Sequence, residues 1–343
     1  MKRSWLRILA KVSFLLCVLA LLVAGFVLAR FASWRLDKLA ALDLASEVAE
    51  TDKGKVEYSI RGEGPTVLVF HGTPGGYDQA MLIGSLLAED QFDVVAPSRP
   101  GYLRTPLASG QSPEQQADAM TALIDTMGIP SVAVLASSSG TPAAIQFVLR
   151  HPDRVWALVL LSPVTRFASD RQLSRTELGR LVTDRFAGDF GAWLAIEVAE
   201  KDPQRMVRLI LEAEHEATGA QQEALVDYVV NDADQLEWFR TLVGTFVPPS
   251  VREAGLRNDL QQIRALAELP FEQIGVPTLI VHGTADKLVP LSGVEAMAGR
   301  IPGATFYAVE GAGHLVEIGP RAADVQTKVV QFLRESSGGE SQP

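Results

Sequence analysis

The 343 residues are 47% apolar and 21% charged with a single cysteine, Cys17, so a sizeable core is expected and both an intramolecular disulfide and a cysteine-rich metal site are excluded. The net charge of −10 is unevenly divided: residues 1–40 carry seven Lys/Arg and one Asp, which leaves −16 for the remainder. An acidic body repels phosphate, which excludes nucleic acid as the partner.

The opening stretch "MKRSWLRILAK" carries Lys2, Arg3, Arg7 and Lys11 and leads into "VSFLLCVLALLVAGFVLA", 18 uncharged residues from Val12 to Ala29. As a helix this run spans about 27 Å, close to the hydrocarbon thickness of a bilayer, and Leu6, Ile8, Leu9 and Ala10 extend it where Lys11 snorkels. A soluble core helix would show a polar face, and this run has none. A cleaved signal peptide, which would give a secreted body, is the alternative, but its apolar region is shorter, about 7–15 residues. Residues 1–40 are therefore expected to be a retained single-helix membrane anchor. Basic residues before the run outnumber those just after it (Arg30, Arg35, Lys38), which keeps the N-terminus in the cytoplasm and puts the body outside.

From Lys55 onward short apolar runs alternate with amphipathic stretches. "KVEYSIRGEG" (55–64) reads as a strand and a turn, and "TVLVF" (66–70), "FDVVA" (92–96), "SVAVLA" (131–136) and "VWALVLL" (155–161) read as strands buried on both faces. Helices are predicted over 77–89, 113–128 and 139–150. Further on come "PTLIVHG" (277–283), a helix near 291–300, "ATFYAVEG" (304–311) and a last helix near 320–334. Alternating strand and helix predicts an α/β fold with a mostly parallel central sheet flanked by helices, formed by residues 50–164 and 272–335. Between these segments, residues 165–271 lack strand-like runs and show helical periodicity, which predicts a helical cap inserted between sheet strands. Its Phe186, Trp193, Trp238, Phe239 and Phe246 line an apolar pocket or hold helices together, core packing being the expectation for most. The tail, 336–343, is expected to be disordered.

The stretch "VLASSSGTPAA" (134–144) holds three consecutive serines between an apolar strand and a helix start. A strand that turns sharply into a helix can present one side chain at its apex, provided the residues two before and two after are small. Leu135 precedes Ser137 by two, and Ser139 is flanked at that spacing by Ser137 and Thr141. Ser138 has Ala136 and Gly140, which makes it the candidate nucleophile.

A serine hydroxyl needs a base to take its proton as it attacks. Of the five histidines, His314 lies in "EGAGHLVEIGP", a glycine-marked loop just after the last apolar strand. His71 and His282 directly follow strands and are expected to orient loops, His151 falls at the opposite end of the sheet, and His215 is expected on a polar helical face of the insertion. The imidazole needs an anion on its other nitrogen, and Asp286 in "VHGTADKLVP" stands in the loop leaving the preceding strand. Its ordinary reading is a turn-capping Asp. In parallel sheets, however, the loops at the C-terminal strand ends share one edge, and Ser138, Asp286 and His314 all occupy such loops. "FHGTPGGYDQA" supplies a glycine-rich loop after another strand, so the backbone N–H groups of Thr73 and Ser139 are the expected donors to an oxyanion. That loop is neither a G-x-G-x-x-G nor a P-loop pattern, and no His or carboxylate pair falls at metal-ligand spacing, so no metal site is expected.

With these residues in place the body resembles the α/β-hydrolase fold family, from about Lys55 to Leu333, through "HGTPGG", "APSRPGY", "LASSSGTPAA", "RHPDRV", "PTLIVHGTADKLVP" and "GAGHL". The resemblance implies a Ser138–His314–Asp286 triad, an oxyanion hole at Thr73 and Ser139, and acyl transfer without a cofactor. Two departures stand out: Ala136 replaces the commoner elbow glycine, and Ser98 stands where many relatives have Asp. A serine at the apex argues against the dehalogenase and epoxide-hydrolase branches, which carry aspartate there. The expected substrate is a small, apolar carboxylic ester. "HGTPGG" also looks like the proline iminopeptidase loop, but that family has an aromatic residue where this chain has Ser139. A peptidase or amidase, a carbon–carbon bond hydrolase using the same residues, and a non-catalytic hydrolase-like binding module are the alternatives.

Overall fold

The apolar N-terminal run lies within one continuous helix, α1 (Lys2–Leu44), which continues past the boundary expected at residue 40. It is long and apolar enough to cross a membrane, and none of its apolar window is buried against protein. The computed structural model describes residues 2–89, 91–164 and 188–338, and it divides into two units, Met1–Leu44 and Ala45–Pro343.

The second unit is built on an eight-stranded sheet in the order β1-β2-β4-β3-β5-β6-β7-β8. Its strands are β1 (Glu47–Thr51), β2 (Gly54–Arg61), β3 (Thr66–Phe70), β4 (Asp93–Pro97), β5 (Val132–Ser137), β6 (Val155–Leu161), β7 (Thr278–Gly283) and β8 (Thr305–Val309). β3 to β8 run parallel, while β1 and β2 form an antiparallel hairpin, β2 pairing antiparallel with β4 at one edge. β1 lies ahead of the boundary expected at residue 50: "EVAET" has no fully buried position, so it carries no apolar run to read.

The central strands are apolar on both faces because both faces are covered. On one face Leu68, Phe70, Val134, Leu158 and Ile280 pack on Met120 and Leu123 of α3 (Pro113–Thr126) and Ile145 and Phe147 of α4 (Thr141–Arg150). The alternate residues Val67, Val69, Leu135, Val159 and Val281 pack on Ala80 and Leu87 of α2 (Tyr77–Glu89) and on Val325, Val329 and Leu333 at the C-terminal end of the chain. Each such side chain contributes about 1.5–3 kcal/mol by leaving water. A capping box starts α3: Ser112 Oγ accepts from Gln115 N, and Gln115 Oε1 accepts from Ser112 N.

Between β6 and β7 the described residues form α5 (Gly188–Lys201), α6 (Pro203–Glu214), α7 (Ala220–Asn231), α8 (Ala233–Gly244) and α9 (Glu253–Ala265). Val207, Ile210, Leu211, Val226, Val229 and Phe239 give these helices a small core of their own. Trp193 is buried as well, whereas Phe186 lies outside the described residues. After β7 come α10 (Leu291–Ala298), β8 and α11 (Ala322–Ser337). α11 thus runs two residues into the stretch expected to be tail; residues 339–343 lie outside the described ones.

The strand order places the site. After β3 the chain pairs β4 on one side and later β5 on the other, so the loops leaving β3 and β5 diverge and open a crevice at the C-terminal edge. Gly72–Thr73 and Ser138 stand in those two loops, and Asp286 and His314 follow β7 and β8 on the same edge.

Candidate active site

β5 ends at Ser137, and Ser138 turns the chain into a 3-10 turn (Ser138–Gly140) and then α4. Its φ of 50° lies in the left-handed region that a β-substituted residue pays for with about 1–3 kcal/mol of strain, the signature of an elbow that exposes one side chain. Gly140 is small for a specific reason. A Cβ there would lie 2.5 Å from the Phe70 carbonyl oxygen and 2.7 Å from that of His71, so the crowding comes from the neighbouring β3. Ala136 is fully buried in the sheet.

The structure brings the three separated loops together. His314 Nε2 lies 2.8 Å from Ser138 Oγ, and His314 Nδ1 lies 2.7 Å from Asp286 Oδ2. A carboxylate only accepts, so Nδ1 carries the proton and Nε2 accepts from the serine hydroxyl. Asp286 uses its oxygens separately: Oδ1 accepts the N–H groups of Leu288 and Val289 at 2.7 and 2.9 Å, which caps the turn, and Oδ2 faces the imidazole. Burial disfavours the imidazolium, but Asp286, joined by Glu214 and Glu317, outweighs it, and the His314 pKa is raised. Burial also acts to raise the Asp286 carboxyl, but the facing His314 outweighs it and that pKa is lowered. Ser162, which sequence reasoning passed over, donates from Oγ to the His314 carbonyl at 2.5 Å.

His215 is not on a polar helical face. It sits one residue past the end of α6, buried, with Nδ1 accepting from Ala217 N and Nε2–H donating to the Gly311 carbonyl at 2.9 Å. A helical wheel does not apply beyond the last turn, and His215 lies just past it.

Thr73 and Ser139, chosen for their backbone N–H groups, also meet through their side chains: their hydroxyl oxygens are 2.5 Å apart. Thr73 Oγ1 in turn donates to the Asp259 carboxylate. Asp259, on α9, also accepts from Tyr102 OH at 2.6 Å and forms a forked pair with Arg99 at 2.8 and 2.5 Å. Arg99 is fixed further by the His71 carbonyl and Gln116 Oε1. Its pKa is raised: burial opposes the charge, and Asp259 outweighs it. His71 is fully buried, and desolvation together with the Arg99 charge holds its pKa well below the usual imidazole value. Ser98, in the place where the resemblance leads one to expect Asp, accepts from Tyr77 N and donates to buried Glu57 Oε2. The sequence signal for Asp259 is its position on the buried stripe of α9, three residues after Leu256 and four before Ile263.

A cavity of about 110 Å³ opens over Ser138, walled by Thr73, Asp259, Ile263, His314, Glu317 and the aromatic rings of Trp238 and Phe246. Burial raises the pKa of Glu317. Phe239 instead packs inside the helical insertion. A larger hollow of about 630 Å³ lies between α6, α7 and the His314 loop, and neither Ser138 nor Thr73 is in its walls. Among the described residues no cluster of His, Cys, Asp or Glu is arranged to hold a metal.

The family model for the alpha/beta hydrolase fold matches residues 65–318. An uncharacterized hydrolase, YcgS, of Bacillus subtilis is 28% identical over 84% of this chain and 98% of its own length. The 2-hydroxy-6-oxononadienedioate/2-hydroxy-6-oxononatrienedioate hydrolase 2 of Pseudomonas putida is 27% identical over 76% of this chain and 85% of that protein. Among solved structures, an alpha/beta hydrolase fold protein from Nakamurella multipartita superposes with a TM-score of 0.76 at 29% identity, covering 84% of this chain and 99% of that one. The chain belongs to the α/β-hydrolase fold family.

Proposed function

We propose that the protein is a serine hydrolase of small, neutral carboxylic esters, with Ser138 as nucleophile, His314 as general base and Asp286 as the anion behind it. The observation that carries this reading is the unbroken hydrogen-bond chain from the Ser138 hydroxyl through both nitrogens of His314 to Asp286. Ser138 Oγ attacks the ester carbonyl carbon as His314 Nε2 takes its proton. Asp286 steadies the imidazolium, and the Thr73 and Ser139 N–H groups receive the oxyanion. Collapse breaks the bond to the alkoxy oxygen, which leaves as an alcohol with the proton from His314, and the acyl group stays on Ser138. Water then attacks the acyl carbon with its proton passing to His314; collapse breaks the bond to Ser138 Oγ, His314 returns that proton to Oγ, and the acid is released.

The charge of the cavity favours a neutral substrate over the dioates named for the Pseudomonas putida relative. Asp259 and Glu317 face it, and among its described lining residues there is no Lys or Arg. Arg99, the guanidinium behind Thr73, is already committed to Asp259. A substrate carboxylate would therefore lose its hydration without a cation among these residues to pair with. The test is a panel of neutral short-chain p-nitrophenyl esters, the matching hemisuccinate ester, aminoacyl p-nitroanilides and a 2-hydroxy-6-oxo-dienoate. The neutral esters are expected to exceed the anionic ones in kcat/KM by roughly tenfold or more. Preference for the dienoate would turn the assignment to carbon–carbon cleavage, and preference for the anilides to a peptidase.

Residues 165–271 act in this reading as the cap that sets acyl selectivity through Trp238 and Phe246. Helix α1 holds the enzyme to the membrane with its basic end in the cytoplasm and its body outside. Fractionated cells should retain the full chain in the membrane pellet through alkaline wash, and a chain lacking residues 1–40 should become soluble. Recovery of a soluble form shortened at its N-terminus would replace the anchor by a cleaved signal.

A further inference from the structure

Sequence reasoning gave no catalytic role to the segment at the end of α6, yet it lies across both loops that carry the base and its anion. The Glu214 carbonyl accepts the N–H of Lys287 at 3.1 Å and the N–H of His314 at 3.2 Å, one from each loop. Its carboxylate Oε2 accepts Leu315 N–H at 2.7 Å. The next residues continue the pairing: His215 bridges antiparallel to Asp286, and Glu216 N donates to the Ala285 carbonyl at 2.9 Å. The two loops are themselves joined by Ala285 N donating to the Ala312 carbonyl at 2.9 Å. Gly313 has no room for a side chain beneath this strap, since a Cβ would lie 2.7 Å from His215 Cδ2 and 3.1 Å from Glu214 Oε2.

The geometry points to Glu214 as a positioning residue of the site: by its carbonyl and its carboxylate it clamps the Asp286 and His314 loops in register and sets the imidazole against Ser138. It touches no reacting atom and acts through His314. Four charged or titratable groups press on that ring: Asp286 and His282 from the β7 side, Glu214 from α6, and Glu317 from its own loop. Burial pushes the Glu214 carboxyl up to about 7, against the Leu315 N–H and the His314 charge, so Glu214 and His314 titrate as a coupled pair. A negative Glu214 favours the imidazolium, so removing that charge lowers the His314 pKa and moves the acid limb of activity to lower pH.

This inference rests on the reading of His314 as the base of Ser138, so its test includes a readout that needs no turnover. In the full-length chain in detergent micelles, the His314 ring resonance is assigned by its loss in His314→Asn and titrated by NMR in wild type, Glu214→Gln and Glu214→Leu. Glu214→Gln keeps an acceptor for Leu315 N–H and loses the charge, so the His314 midpoint should move to lower pH and become a single step. Glu214→Leu loses both and should lower kcat on the best panel ester about tenfold or more with KM nearly unchanged. Glu214→Gln should restore most of that kcat. An unchanged His314 titration in Glu214→Gln overturns the electrostatic part, and wild-type kcat in Glu214→Leu overturns the part of the clamp made by the carboxylate. If Glu214→Leu does not fold, the Glu214→Gln titration decides alone. If no ester is turned over, the hydrolase reading fails while the titration still tests the electrostatic action of Glu214 on His314.

Discussion

Ser138→Ala is expected to remove labelling by a serine-directed fluorophosphonate and to lower kcat on the best ester by roughly 10⁵–10⁶-fold, the scale for losing a nucleophile that works as a unit with its base. The hydroxyl it removes is the one at 2.8 Å from His314 Nε2, on a residue held at φ 50°. Neighbouring serines do not substitute. Ser137 ends β5 with extended backbone, and Ser139 Oγ is turned to Thr73 Oγ1, away from the base. A residual acceleration over water is expected, since the Thr73 and Ser139 N–H groups remain. Equal labelling of wild type and Ser138→Ala would defeat the assignment and leave a hydrolase-like scaffold that binds without cleaving. A fall in KM alone, with kcat retained, would do the same.

The parts legible from sequence are those in which local pattern and long-range order coincide. β3, β5, β6 and β7 are buried on both faces, so their apolar runs mark them directly, and alternation with helices orders them into a parallel sheet. That order sends the loops after β5, β7 and β8 to one edge, which is why Ser138, Asp286 and His314 were nameable from their places in the chain. What was not legible is what meets what across the insertion. Helical periodicity marks Asp259 as lying on the buried stripe of α9, but nothing local says that its partner is Arg99, 160 residues earlier. Glu214 and His215 fall where α6 ends, and their role arises only because the chain there runs antiparallel to the Asp286 loop. β1 stayed hidden for a simpler reason, being an edge strand without a buried face.

The second large effect should come from Asp259→Ala. It strips the counter-ion from Arg99, whose side chain is 1% exposed, and leaves a buried guanidinium with neutral acceptors such as the His71 carbonyl, Gln116 and Ser139. Breaking a buried pair from one side destabilises by about 3–5 kcal/mol, seen as an earlier unfolding midpoint in denaturant by tryptophan fluorescence. The paired change Arg99→Met with Asp259→Leu removes both charges and should recover most of that loss, because the cost lies in the orphaned charge more than in the missing attraction. Activity should separate from stability in this cycle. Thr73 Oγ1 donates to Asp259, and Tyr102 donates to the same carboxylate, so without it the loop offering the Thr73 N–H loses its anchor. In the double variant kcat should therefore remain depressed, by up to the roughly 10²-fold that a misplaced oxyanion donor costs, while the unfolding midpoint returns towards wild type. Recovery of kcat together with stability would mean that the Arg99–Asp259 pair holds the fold and has no part in aligning the oxyanion loop.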